Sequence, residues 1–195
     1  MKKMLLAAVS MLLPLAASAA PETYQLDPYH TYPHFAVDHL GVSTMWGRFD
    51  KTAGSFVIDR AARTASVEIV VETASLSTGD TEKGNRPRTR DEHLRSADFF
   101  NVSEFPRMTF KSTAVKFNGD GPSEIRGQLT LLGATKPLTL TIDRWVCKDH
   151  PYARKHMCGG NASGRIKRSD FGMKFGIPAI GDEVKLFLEF EGYRE

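Results

Sequence analysis

Along most of this chain, apolar and polar residues alternate one by one. Phe35, Val37 and His39 alternate with Ala36 and Asp38, and Leu138, Leu140 and Ile142 with Thr139, Thr141 and Asp143. Val67, Ile69 and Val71 alternate with Ser66, Glu68 and, less cleanly, Val70. Val184, Leu186, Leu188 and Phe190 alternate with Lys185, Phe187, Glu189 and Glu191. A period of two predicts β-strands with one dry face and one wetter face. Turn signals separate the runs at Lys51–Gly54, Asn118–Pro122, Gly133–Lys136 and Ile180–Asp182. Short strands at this spacing predict a sandwich or a barrel. Neither an internal repeat nor a low-complexity linker divides the chain, and its length suits one domain.

Residues 73–105 break the pattern and are too long for a hairpin loop. Thr89-Arg-Asp-Glu92 fits a capping box, with Thr89 as N-cap and Glu92 reaching back. A short helix is expected from Arg90 to Ala97. Leu94 and the pair Phe99-Phe100 give the segment something to bury. Arg86, Arg88, Arg90, Asp91, Glu92 and Arg95 read as a solvated face or as a lid over a cavity mouth.

The first residues change the picture of where the chain works. Lys2 and Lys3, an apolar run from Leu5 to Ala17, and the small-x-small site Ala17-Ser-Ala19 read as a signal peptide of residues 1–19. The run is short and broken by Pro14, which speaks against a stable membrane anchor. The mature domain is then 20–195, soluble and exported to the periplasm. Its formal charge falls from +3 to +1 once Lys2 and Lys3 leave. That balance lacks the basic stripe of a nucleic-acid binder. Cys147 and Cys158 are the two cysteines. An exported pair this close reads first as a disulfide. His150 and His156 between them raise a metal reading, but the spacing fits no common zinc site.

Candidate chemistry is sparse. His30, His34 and His39 form His-x3-His-x4-His, but Pro33 argues against a helix that would align them. In a strand, His39 faces away from the other two, so the three do not converge. His39 falls among dry-face residues and needs a polar partner from the protein or from a bound head group. The chain holds no Gly-x-Ser-x-Gly, no phosphate-binding glycine loop and no His-Glu-x-x-His. The remaining candidates are the aromatics, as packed core or as cavity lining. Periodicity does not separate these, because a filled barrel and a hollow one share the same inward face.

Several phrases belong together in order and spacing. They are Tyr24-Gln-Leu-Asp-Pro-Tyr-His30-Thr31, Phe35-Ala-Val37-Asp-His39-Leu-Gly41, Gly47-Arg-Phe49, and Asp91-Glu-His93-Leu94-Arg-Ser96-Ala-Asp98-Phe99-Phe100. Pro106-Arg-Met-Thr-Phe110-Lys-Ser-Thr113, Gly127-Gln-Leu129-Thr-Leu-Leu-Gly133-Ala-Thr-Lys136-Pro137 and Arg168-Ser-Asp-Phe171-Gly172-Met follow. Together, from Tyr24 to Gly192, they resemble the YceI-like family of secreted lipid- and polyisoprenoid-binding proteins.

The resemblance implies an all-β fold, a lipocalin-like antiparallel eight-stranded β-barrel with one short helix. It implies a non-enzymatic carrier of a long-chain isoprenoid or similar amphiphile, such as an isoprenoid quinone or polyprenyl lipid. The apolar interior would then comprise Phe35, Val37, His39, Phe56, Ile69, Phe110, Leu129, Leu188 and Phe190. Trp46, Phe99, Phe100 and Phe171 would form the rim. No catalytic residue, metal or further cofactor is expected, and the protein is expected as a monomer or homodimer. The stretch from Cys147 to Cys158 reads as an insert at one barrel end. Two rival readings stay open: a metal- or haem-associated protein using His30, His34, His39 or the cysteine loop, and a small lipid-ester hydrolase.

Overall fold

The computed structural model describes residues 20–195 of the protein, so the expected signal peptide lies outside the described residues. Strands β1 (Glu22–Leu26), β2 (Tyr32–His39), β3 (Ser43–Phe49), β4 (Thr52–Asp59), β5 (Thr64–Glu72) and β6 (Leu76–Ser77) come first. Helix α1 (Arg90–Arg95) follows. Then come β7 (Arg107–Asn118), β8 (Gly121–Leu131), β9 (Ala134–Asp149), β10 (His156–Lys167) and β11 (Ile180–Arg194).

These segments make a closed antiparallel barrel of eight staves. Three staves are each interrupted once, as β1/β2, β3/β4 and β5/β6. β11 is long enough to pair with both halves of the first stave: Leu186 faces Phe35 in β2, and Gly192 faces Leu26 in β1. That pairing shuts the ring, so no stave is left with an unpaired long edge.

Two predicted turns are not turns. Lys51–Gly54 is the bend where β3 passes into β4 within one stave. A Cβ at Gly54 would stand 2.1 Å from the carbonyl oxygen of Glu68, and φ there is 149°, so only glycine fits the bend. Ile180–Asp182 lies inside β11, where a bulge shifts the register between Ile180 and Val184. Glycine serves a strand irregularity at both places, which sequence alone does not distinguish from a reversal.

The barrel has two unlike ends. At one end lie the β2–β3 turn, the 78–106 segment with α1, the β8–β9 turn and the loop 168–179. At the other lie the β4–β5, β7–β8 and β9–β10 turns. That second end is closed by Tyr24, Leu26, Phe56, Ile58 and Cys158, with Trp145 and Phe190 against them. Tyr24 and Phe56 stack at 4.9 Å, and Trp145 meets Phe56 edge-on at 5.7 Å. Cys147 and Cys158 are joined in a disulfide and are direct register partners on β9 and β10. The expected insert is therefore an extension of one hairpin at the packed end, with residues 150–155 as its tip.

Candidate functional site

The 78–106 excursion is built by its own polar bonds. The Thr89 hydroxyl accepts from the Glu92 backbone N–H at 3.0 Å, and the Glu92 carboxylate accepts from the Thr89 N–H at 2.7 Å. The predicted capping box is present. The helix stops at Arg95 instead of Ala97, because Ser96 turns to extended backbone and returns its N–H to His93. Arg86 forks onto Asp80 with two bonds of 2.7 Å, and Asp80 also accepts the Arg90 N–H at 2.9 Å. His93 and Arg88 share the Asp98 carboxylate at 2.8 and 2.9 Å. Asp91, read as part of a solvated face, is buried and accepts the Thr78 N–H at 3.0 Å. The charges are thus knotted into a strap across the barrel end.

These bonds fix the protonation of the strap. The Arg86 guanidinium, with the Arg90 backbone N–H, holds the Asp80 carboxyl well below the ordinary range. His93 and then Arg88 lower Asp98 in the same sense.

Arg168, only 3% exposed, ties down the facing loop. Its guanidinium donates to the carbonyls of Gly181 (2.8 Å), Met173 (3.1 Å), Phe175 (2.9 Å) and Ile180 (2.8 Å). Burial lowers its pKa, opposed by the Asp182 charge nearby. Asp182 in turn accepts the Ser169 N–H and hydroxyl at 2.9 and 2.8 Å.

Between strap and loop lies a cavity of about 700 Å³ that runs into the barrel. Its wall is nearly all apolar. Phe35, Val37, His39, Ile69, Phe110, Leu129 and Leu188 line it, as do Phe99 and Phe100. Ile69, Phe110 and Leu188 also line a smaller space of about 50 Å³ nearer the packed end, where Phe56 and Phe190 lie. With Pro33 and Leu140, which also border both, these side chains form a waist between the two spaces.

One of the four expected rim residues sits elsewhere, and a second, Trp46, borders the cavity with its ring turned outward. Phe171 is 4% exposed and belongs to the core cluster with Leu138, Leu140 and Ala162, so it is packing rather than rim. It follows the buried Arg168 in a single 3₁₀ turn, which draws its ring inward. Trp46 borders the cavity, but its ring packs on the outer surface against Phe187 at 5.2 Å. Strand alternation explains this: Met45, Gly47 and Phe49 face inward, so Trp46 faces out.

Other wall residues were not singled out as site residues: Phe49, Val71, Met108, Leu138, Leu140, Val184, Leu186 and Arg168. Five of them sit in the alternating runs, where the period gives their face but not the hollow behind it. Arg168 carries no such signal.

The histidines do not meet. His30 bonds Asp27 at 2.8 Å on the outside, His34 approaches Glu189 at 3.3 Å, and His39 faces the cavity mouth. Cys147 and Cys158 are spent on each other, so neither offers a thiolate to a metal.

A hollow barrel of this topology, with the phrases of the sequence spread around it, matches a known pattern: the YceI-like domain model fits residues 24–192. The chain belongs to the YceI-like family. The protein YceI of Escherichia coli O6:H1 is 38% identical over 199 residues, covering all of both chains. Among solved YceI-like folds, Burkholderia cenocepacia BcnA superposes with a TM-score of 0.65 at 20% identity, over 85% of this chain and 98% of that one. A polyisoprenoid-binding domain from Saccharophagus degradans, implicated in plant cell wall breakdown, superposes with a TM-score of 0.62 at 17% identity, over 88% and 98%. At those identities the likeness speaks for the YceI-like fold. No helix among the described residues is long and apolar enough to cross a membrane.

Proposed function

We propose that this YceI-like protein is an exported, periplasmic carrier that holds the tail of a long-chain isoprenoid or similar amphiphile inside its barrel. The observation that carries the proposal is the apolar cavity of about 700 Å³. It lies within the range of about 300–1,000 Å³ typical of small-molecule sites. Its apolar wall suits a tail, and the Arg, His and Thr side chains near its mouth suit a polar head. Each buried methylene-sized group contributes about 0.8 kcal/mol, so a five-carbon prenyl unit gives roughly 3–4 kcal/mol before ordering costs. A few units then suffice without a charged clamp. The polyisoprenoid-binding description of the S. degradans relative supports the same ligand class. Family membership and the lack of a nucleophile motif support a binding protein rather than an enzyme.

Mass spectrometry of an organic extract of the native protein tests the proposal. The expected result is a stoichiometric long-chain isoprenoid or other amphiphile. Protein that yields no lipid, and that takes up no prenyl lipid when refolded in its presence, would overturn it.

A further inference from the structure

The barrel's open end carries exposed apolar residues that no cavity or core uses. Leu40 is 58% exposed and Val42 84%, both on the β2–β3 turn. Phe175 is 46% exposed and Ile177 36%, both on the 168–179 loop. The two loops are one surface, since the Leu40 N–H donates to the Ala179 carbonyl at 2.7 Å. That surface is continuous with the cavity mouth: the Phe175 ring lies 5.0 Å from His93 and 5.3 Å from Phe99, which both line it.

The turn itself is chosen against ordinary turn chemistry. Leu40 has φ of 62°, in the left-handed region where Gly, Asn and Asp are favoured. A leucine there puts an apolar side chain into solvent at a strained backbone position. Strain held at an exposed site points to a use for the side chain.

Below the tip, the exposed Trp46 packs on Phe187 on the outer wall. An exposed tryptophan on the wall below an apolar tip is the arrangement of an interfacial anchor. The charges around the patch favour cations. The exposed Lys167 and Lys174 stand against Asp170 on the 167–175 stretch, and the exposed Lys185 flanks Phe187. Of the nearby carboxylates, Glu183 pairs with Arg165, Glu189 faces His34 and Asp182 lies by the Arg168 charge, which leaves Asp38 and Asp170 against the three exposed lysines.

We infer that this rim docks the open end onto an anionic phospholipid bilayer. Leu40, Val42, Phe175 and Ile177 enter the acyl boundary, Trp46 sits at head-group level, and Lys174 and Lys185 face the lipid phosphates. The inference goes beyond the ligand proposal and does not need it, because docking is read without any cavity ligand.

The test is co-sedimentation of the mature protein at low ionic strength with vesicles of phosphatidylcholine plus phosphatidylglycerol, and of phosphatidylcholine alone. Binding is expected with the first and weak with the second. The double variant Leu40→Asn with Val42→Thr keeps a turn-compatible residue and a β-branched one. It is expected to lose binding by at least about tenfold while unfolding at an unchanged temperature. Lys174→Glu, at an exposed position, is expected to erase the preference for the anionic vesicles. Wild-type protein that ignores anionic vesicles, or variants that bind as the wild type does, would overturn the inference. So would a dimer in sedimentation velocity that the Leu40→Asn and Val42→Thr changes convert to monomer, since a second copy would then own the surface.

Discussion

Phe35 reaches over Gly47 on the neighbouring strand, so closely that a Cβ on that glycine would stand 2.3 Å from the ring's Cζ. Phe110 does the same over Gly127, where an added Cβ would meet its Cζ at 2.5 Å. The barrel is hollow partly because these large rings lie along the wall over missing side chains instead of reaching for the axis. Gly47→Ala should push Phe35 inward, costing about 1–3 kcal/mol from overpacking and shrinking the cavity. Thermal unfolding and a structure of the variant would check both effects.

Chain acceptance should depend on the waist and the wall. Ile69→Lys puts a cation into an apolar interior, so it should abolish lipid co-purification or destabilise the fold. Val37→Trp should shorten the longest prenyl chain accepted, read by mass spectrometry of variants loaded with a series of chain lengths. Equal acceptance of every length by wild type and Val37→Trp would contradict this.

The cap of α1 should be worth about 1 kcal/mol, so Thr89→Ala should lower stability by that amount. Hydrogen exchange should show faster opening across residues 90–95 and little change in the staves. An unchanged exchange pattern would mean the packing of the strap, and not its cap, holds the helix.

Acid should loosen the strap before it unfolds the barrel. Asp80 and Asp98 have folded pKa values depressed by their basic partners. The stability they add is therefore fully present above the unfolded value of about 3.9 and is lost as pH falls through the folded values. Below about pH 4, residues 78–98 should exchange amide protons faster while the strand amides stay protected. Asp98→Asn should make the strap's opening less dependent on pH in that window.

Breaking the Cys147–Cys158 bond by reduction should cost about 2–3 kcal/mol, the loop-closure value for so short a loop. Because it clamps the packed end, ligand uptake at the other end should be unchanged so long as the protein is folded. Denaturant unfolding with and without reductant measures the first effect, and uptake of a prenyl lipid by the reduced protein measures the second.

Much of this was legible in the chain. The alternating runs around Ile69, Leu140 and Leu188 placed their inward faces correctly, because a stave has only two sides to offer. Thr89 and Glu92 announced the helix start because a capping box is a local device. What stayed hidden depends on neighbours distant in sequence. Gly54 and Gly181 looked like turn residues, since a glycine forced by a carbonyl on the next strand, as Gly54 is, or one set in a strand bulge, as Gly181 is, is written the same way as one forced by a reversal. Phe171 looked like rim until Arg168, bonded to two carbonyls of the following loop and two at the start of β11, drew it into the core. The hollow behind Phe35 and Phe110 rests on glycines elsewhere in the chain, whose reason for being glycine appears only across the sheet.

The packed end, with Tyr24 and Phe56 stacked across it, leaves the barrel a dead-end sleeve and not a pipe. Whatever enters between strap and loop must leave by the same door, last part in being first part out. Such a molecule cannot hand a chain through itself from one compartment face to another. If it is the carrier proposed above, it would have to let go of its source, turn, and present the same door to its recipient, so the rate of delivery would be bounded by how fast that single door is vacated and shown again.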